Sequence, residues 1–397
     1  MLFAFPCANK ADVKEAVMAI TRREMLGTAA ALAVTAAMPV AAAGEESLAA
    51  IAKRRGLHFG SAMGVRTIHN DPDYTKLVLS QCSTIVPGNE LKWTTIRPDP
   101  VTVDYGPGDE FVAWGEQHDL IVRGHNLFWP LERRSPPWQA TYDYGPNPRA
   151  TTQKMLVDHI ERTCRRYGAR IASWDVVNEG IEPATGLPRQ NSFSRAFGGD
   201  GTEIIELAFH TARASLPATT ELVYNDFMNW EPTHEKHREG VLRLLEGFRK
   251  RGVPVTSLGL QGHLGGGGTT GNPDGIGGFG AHDERAWRHF LDQVTGMGYK
   301  LLITEFDVND RFAPAPIAER DAAVASVGKA FLDVTLSYKQ VHTVMLWGLS
   351  NSRSWLQGTG TRADGSPKRP CPFDADLQPT PLYSAIAAAL ESAARRS

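Results

Sequence analysis

From residue 57 onward the chain repeats one unit eight times: a short apolar run, then a longer amphipathic stretch. The apolar runs predict strands over Leu57–Ala62, Thr84–Val86, Ile121–Leu127, Ser173–Val177, Glu221–Tyr224, Ser257–Leu260, Lys300–Thr304 and Thr343–Leu346. The stretches between and after them predict helices over Tyr74–Gln81, Phe111–His118, Thr151–Tyr167, Thr202–Ala214, Glu235–Arg251, Asp283–Thr295, Ile317–Tyr338 and Leu382–Ala394. This alternation implies parallel βαβ units. Eight of them suit a closed (β/α)8 TIM barrel, one α/β domain over residues 44–397, better than an open sheet. The rival doubly wound sheet carries a Gly-rich phosphate turn after its first strand, and Gly60-Ser61-Ala62-Met63-Gly64 lacks the required spacing.

A chain of 397 residues, 42% hydrophobic and 22% charged, is long enough to bury a barrel core. The formal net charge of −2 offers no strong field of either sign, which makes nucleic acid and anionic membrane surfaces poor partners and suits a neutral substrate. Cys7, Cys82, Cys164 and Cys371 show no metal-ligand spacing, so neither a disulfide framework nor a zinc site is expected, and no cofactor or metal is implied. A monomer is expected.

Residues 1–43 are set apart from the fold. Thr21-Arg22-Arg23-Glu24-Met25-Leu26 precedes an Ala-rich apolar run that ends in Ala41-Ala42-Ala43, the pattern of a cleaved export signal. The paired arginines point to the twin-arginine route, with Met18 as the alternative true start. The expected location is therefore the periplasm or outside the cell, with no membrane attachment after cleavage. The apolar run is short for a membrane span and contains Pro39. The Gly-rich stretch from Gly265 to Gly280 reads as a surface loop.

In such a barrel, chemistry gathers at the carboxyl ends of the strands. His125, Asn126 and Trp129 follow the third strand, Asn178 and Glu179 the fourth, Asn225 and Asp226 the fifth. Gln261 and His263 follow the sixth, Glu305 and Asp307 the seventh, Trp347 the eighth. Polar, aromatic and titratable groups are thus concentrated on one face. Glu179 and Glu305, at opposing strand ends, permit glycoside hydrolysis with retention, in which two carboxyl groups stand about 5–5.5 Å apart. One of them stays ionised as nucleophile, and the other is held protonated by burial and then acts as base. Either Glu alone also suits a salt bridge. Most of the nine Trp are expected in the core, where Trp is usually buried.

Several segments together carry a more specific likeness. Trp174-Asp175-Val176-Val177-Asn178-Glu179 resembles the acid/base motif of family 10 glycoside hydrolases, the endo-β-1,4-xylanases, and Ile303-Thr304-Glu305-Phe306-Asp307 resembles their nucleophile motif. Asn89-Glu90-Leu91-Lys92-Trp93, Arg123-Gly124-His125-Asn126-Leu127-Phe128-Trp129, Tyr224-Asn225-Asp226, Gly259-Leu260-Gln261-Gly262-His263 and Trp347-Gly348-Leu349 to Trp355 match in order. The likeness runs from about Leu57 to Ala388.

The resemblance implies an endo-acting hydrolase of xylan or xylo-oligosaccharides, with Glu179 as acid/base and Glu305 as nucleophile. It implies that Asn178 bonds the 2-hydroxyl of the sugar being cleaved and that His263, held by Asp307, keeps Glu305 ionised. Lys92, His125 and Gln261 would bind hydroxyls of the same sugar, Asn89 the next one, and Asn225 would join the substrate-binding set. Trp129, Trp347 and Trp355 would wall the subsites. Gly88 departs from the pattern, standing where many relatives carry Glu, and Pro130 replaces a common second His. Cys371 falls in a turn where it serves as a small packing residue. The alternatives are a β-1,4-glucanase or aryl-glycosidase on the same fold, a non-catalytic xylan-binding barrel, and a metal-dependent hydrolase, for which the His spacing is wrong.

Overall fold

The computed structural model describes residues 46–265 and 279–396. The expected export signal with Cys7, and residues 266–278 of the Gly-rich stretch, lie outside the described residues. Eight parallel strands run in chain order: β1 (His58–Met63), β2 (Thr84–Pro87), β3 (Ile121–Phe128), β4 (Ser173–Asn178), β5 (Glu221–Asp226), β6 (Ser257–Leu260), β7 (Lys300–Val308) and β8 (Val341–Leu346). Each pairs with its sequence neighbour, and β8 pairs with both β7 and β1, which closes the sheet into a barrel. Every residue of β4 and β6 is buried, as expected of strands covered on both faces.

The outer ring is α1 (Pro72–Gln81), α2 (Gly106–Gln117), α3 (Pro148–Tyr167), α4 (Thr202–Ser215), α5 (Glu235–Arg251), α6 (Glu284–Gly296), α7 (Ile317–Leu336) and α8 (Pro381–Ser392). The expected helices are all present, but α1, α2, α3 and α8 begin one to five residues earlier than the apolar pattern suggests. Three of these open on a proline whose missing N–H needs no partner there. Asp71 and Asn147 cap two of them, accepting from the Tyr74 and Ala150 amides. A short helix over Leu48–Arg54, not anticipated from the pattern, buries Leu48, Ile51 and Ala52 beneath the barrel. Among the described residues no helix is long and apolar enough to cross a membrane. Cys82, Cys164 and Cys371 are buried and unbridged.

Six strands, β2, β3, β4, β5, β7 and β8, are longer than the apolar runs predicted. β7 was expected to stop at Thr304 but continues through Glu305 and Asp307 to Val308. It does so by a bulge: Ile303 pairs with Val344 and Phe306 with Leu346, so β7 has one residue more than β8 over that step. β3 bulges in the same way between His125 and Phe128 against β4, and β4 between Asp175 and Val177 against β5. A bulge re-aims side chains locally. Polar residues at these positions hide the strand from a pattern that looks for apolar alternation.

Candidate active site

At the carboxyl ends of the strands the barrel opens into a cavity of about 580 Å³. Its walls include Asn89, Lys92, His125, Trp129, Glu179, Gln261, His263, Glu305, Asp307, Trp347 and Trp355. A larger hollow of about 840 Å³ lies at the opposite end, around Lys300, His342 and Arg396. It has no carboxylate on its wall, so the smaller cavity is the one with chemistry.

Glu179 follows β4 directly and is 9% exposed. Its φ of 52° lies in the left-handed region, a conformation that costs a non-glycine residue roughly 1–3 kcal/mol and persists only where the surroundings enforce it. They do so here. Its amide donates to the Asn225 carbonyl at 2.8 Å. Its two carboxylate oxygens accept from Gln261 Nε2 and from Trp129 Nε1, each at 3.2 Å. Burial lifts the Glu179 carboxyl to about 6, helped by the nearby charges of Asp226 and Glu305.

Glu305 is tuned the other way. Burial pushes it up, but a hydrogen bond from His263 and the neighbouring His125 and His263 charges outweigh that and hold it below the ordinary carboxylate range. His263 Nε2 is 3.3 Å from Glu305 Oε2, and its Nδ1 is 2.9 Å from Asp307 Oδ1. Burial alone would neutralise the imidazole, yet the two carboxylates raise it to about 10, so it is a cation at neutral pH and donates to both. A two-residue strand, His263–Leu264, pairs with the end of β7 and sets His263 beside Asp307. Trp355 Nε1 donates to the second Asp307 oxygen at 2.7 Å.

Three amides join the two carboxylates. Gln261 Nε2 donates to Glu179 and, at 3.4 Å, to Asn178 Oδ1. Asn225 Nδ2 donates to the same Asn178 oxygen and to Glu305 Oε1, both at 2.8 Å. Thr304 Oγ1 fixes the orientation of Asn225 by donating to its Oδ1 at 2.7 Å. Asn225 is fully buried and every polar atom of its amide is engaged, so it lies behind Glu305 and off the cavity wall. Asn178 is also buried and is not on the cavity wall, but its Nδ2, unlike that of Asn225, has no hydrogen-bond partner among the described residues.

On the β2–β3 side, Lys92 Nζ donates to Asn89 Oδ1 at 3.1 Å and lies 5.3 Å from the centre of the Trp129 ring. Burial lowers its ammonium to about 8 against the pull of Glu305, Glu179 and Glu90. His125 Nδ1 is 2.9 Å from Asp175 Oδ2, and Arg123 donates to the other Asp175 oxygen at 2.6 Å. His125 sits edge-on to Trp347 at 5.1 Å and to Trp129 at 6.1 Å. Trp129, Trp347 and Trp355 all face the cavity, whereas Trp174, Trp230 and Trp287 are core.

The structure adds groups to which the sequence reading gave no role. Asp175 and Arg123 orient His125 from inside the barrel. Asp226, fully buried, accepts from Tyr224 OH at 2.5 Å and lies 3.0 Å from His237 Nε2. His237 stands on α5, and no periodicity marks it out. Gly259 has its own signature in the motif: a Cβ there would fall 2.3 Å from Asn225 Oδ1, so the strand must be bare beside that amide. Gly88 does line the cavity, and a Cβ there would meet only the Met63 carbonyl, at 3.8 Å.

Similarity to known proteins agrees with this geometry. The model of glycosyl hydrolase family 10 matches residues 47–389. The endo-1,4-beta-xylanase B of Thermotoga neapolitana is 26% identical over 347 residues, covering 87% of this chain and 91% of the relative. The endo-1,4-beta-xylanase 3 of Hypocrea jecorina is 27% identical over 347 residues, covering 87% of this chain and 86% of the relative. The crystal structure of native xylanase 10B from Thermotoga maritima superposes with a TM-score of 0.74 at 26% identity, covering 87% of this chain and 98% of that one.

Proposed function

The chain belongs to glycosyl hydrolase family 10, and on that premise we propose that it is a retaining endo-1,4-β-xylanase that cleaves internal bonds of xylan by double displacement. The observation that carries the reading is the opposite tuning of two carboxyls in one cavity: Glu179 raised to about 6 and Glu305 held low. Pushing two carboxyls apart in this way assigns an acid and a nucleophile.

In this reading the ionised Glu305 attacks the anomeric carbon as Glu179 gives its proton to the leaving oxygen. Water then enters with Glu179 as base and releases the sugar from Glu305. The His263 cation and the Asn225 amide keep Glu305 deprotonated and aimed. The free Nδ2 of Asn178 suits the 2-hydroxyl of the sugar under attack, where a hydrogen bond tightens as charge develops. Lys92, Asn89, His125 and Gln261 supply hydroxyl contacts, and Trp129, Trp347 and Trp355 supply faces on which pyranose rings stack. The xylanase names of the two relatives support xylan over other β-glycans. Retention rests on the nucleophile and acid/base motifs. Export by the twin-arginine route, with cleavage after Ala43, is part of the proposal and rests on residues 1–43 alone.

The test is hydrolysis of linear xylan by the chain from Gly44, beside Glu305→Ala and beside carboxymethyl cellulose as substrate. Xylo-oligosaccharides released by the wild type and not by the variant support the reading. Faster turnover of the cellulose derivative, or no turnover by a folded wild type, overturns it.

A further inference from the structure

The cavity wall carries both signs of charge, with Glu179, Glu182, Glu231, Glu305 and Asp307 facing a group of basic side chains. Besides Lys92 it includes Arg133 and Arg134, on the 3-10 turn Glu132–Arg134 that follows β3. The neighbouring carboxylate does not neutralise them. Glu132 accepts from the Ser192 amide at 2.7 Å and from Arg195 at 2.9 Å. Arg189, also on the wall, is buried and 3.5 Å from a Glu182 oxygen. Among the described residues neither Arg133 nor Arg134 has an ion-pair partner, although many surface arginines, such as Arg149, Arg166 and Arg251, do.

An unpaired surface arginine is ordinarily just solvated. Two features distinguish these. Both face the cavity that holds Glu179 and Glu305. Arg134 also lies 5.4 Å from the ring centre of Trp129, whose indole N–H bonds Glu179, and it adds its charge to that of Lys92. A guanidinium offers a planar pair of donors that matches a carboxylate, and hydroxyls gain little from it.

We propose that Arg133 and Arg134 form a carboxylate-binding rim that engages uronic-acid side groups of the xylan chain. The proposal rests on the reading of the cavity as a xylan-cleaving cleft and deepens it: the substrate is an acidically decorated xylan. Both arginines are exposed, so salt screens their pairing with a carboxylate.

The test compares kcat/KM on xylan bearing uronic-acid side groups with kcat/KM on the same polymer after its carboxyls are reduced to alcohols. Both are measured at low and high salt. The wild type is expected to prefer the acidic polymer, and salt is expected to shrink that preference. In the double variant Arg133→Gln/Arg134→Gln the ratio falls about tenfold, the scale of a lost charge-assisted contact. Replacing both by Lys, which keeps the charge and loses the planar fork, restores part of the ratio. An identical ratio in wild type and Gln variant overturns the rim. Equal losses on both polymers do the same, since they mean that the arginines only support Trp129. Turnover of both polymers by the wild type without preference sinks the rim alone, whereas turnover of neither by a folded enzyme sinks the xylanase reading and the rim with it.

Discussion

Gln261 donates an amide hydrogen to Glu179 Oε1 over 3.2 Å, and this bond pulls against the burial that raises the carboxyl. Glu179 acts as an acid only while protonated, so kcat/KM falls as pH rises through about 6. Gln261→Leu removes a donor that favours the ionised form, and the alkaline limb moves above the wild-type position. A pH–rate profile reads this directly, and a limb that stays in place or moves down contradicts the assignment.

Asp226 acts in the opposite sense. Its charge, behind burial, is the next largest cause of the raised Glu179 carboxyl. Asp226→Asn keeps an acceptor for the Tyr224 hydroxyl and removes that charge. The alkaline limb should move to lower pH, and kcat/KM at pH 7 should fall roughly threefold to tenfold, because one unit of pKa is a tenfold change in protonated fraction. Opposite shifts in the Gln261 and Asp226 variants exclude a general loosening of the site as their cause.

His263 bridges Glu305 and Asp307 as a cation. His263→Gln withdraws that charge, so the Glu305 carboxyl rises and is protonated at higher pH. The acidic limb of the profile moves up. A hydrogen bond to a charged group is worth ~1.5–3 kcal/mol, so kcat drops roughly 10- to 100-fold. Unchanged kcat in this variant would mean that His263 does not hold the nucleophile.

Gly259→Ala tests the second layer. The new methyl would lie 2.3 Å from Asn225 Oδ1, displacing the amide that binds both Asn178 and Glu305. Overpacking of this kind costs ~1–3 kcal/mol of stability. The loss should appear in kcat more than in KM, because the displaced amide lies behind the nucleophile and off the cavity wall. Thermal melting and steady-state kinetics together check it.

The barrel was legible because eight apolar runs alternate with eight amphipathic ones, and parallel strands need such crossovers. Glu179, Glu305, His263 and Trp347 were legible as site residues because each follows or ends such a run. What periodicity does not carry is the bulge. Glu305 sits inside β7, where one extra residue re-aims the chain, so an apolar pattern ended that strand at Thr304. Nor does it carry contacts made from behind. His237 reaches Asp226 from α5, and Asn225 turned out to serve Glu305 from the core side. Both depend on the closing of the barrel, which brings β4, β5, β6 and β7 around one point. No sequence pattern marks Arg133 and Arg134, which reach the cavity wall only through the turn after β3.

Double displacement requires that Glu305 become covalently bonded to the sugar. The most direct measurement uses a 2-deoxy-2-fluoro-xylobioside with a good leaving group, which slows release of the intermediate more than its formation. Mass spectrometry of the inactivated enzyme should show one added glycosyl group, and digestion should place it on Glu305 within the Leu301–Val308 peptide. A label on another residue, or full activity with no label while linear xylan is turned over, would rule out Glu305 as the nucleophile.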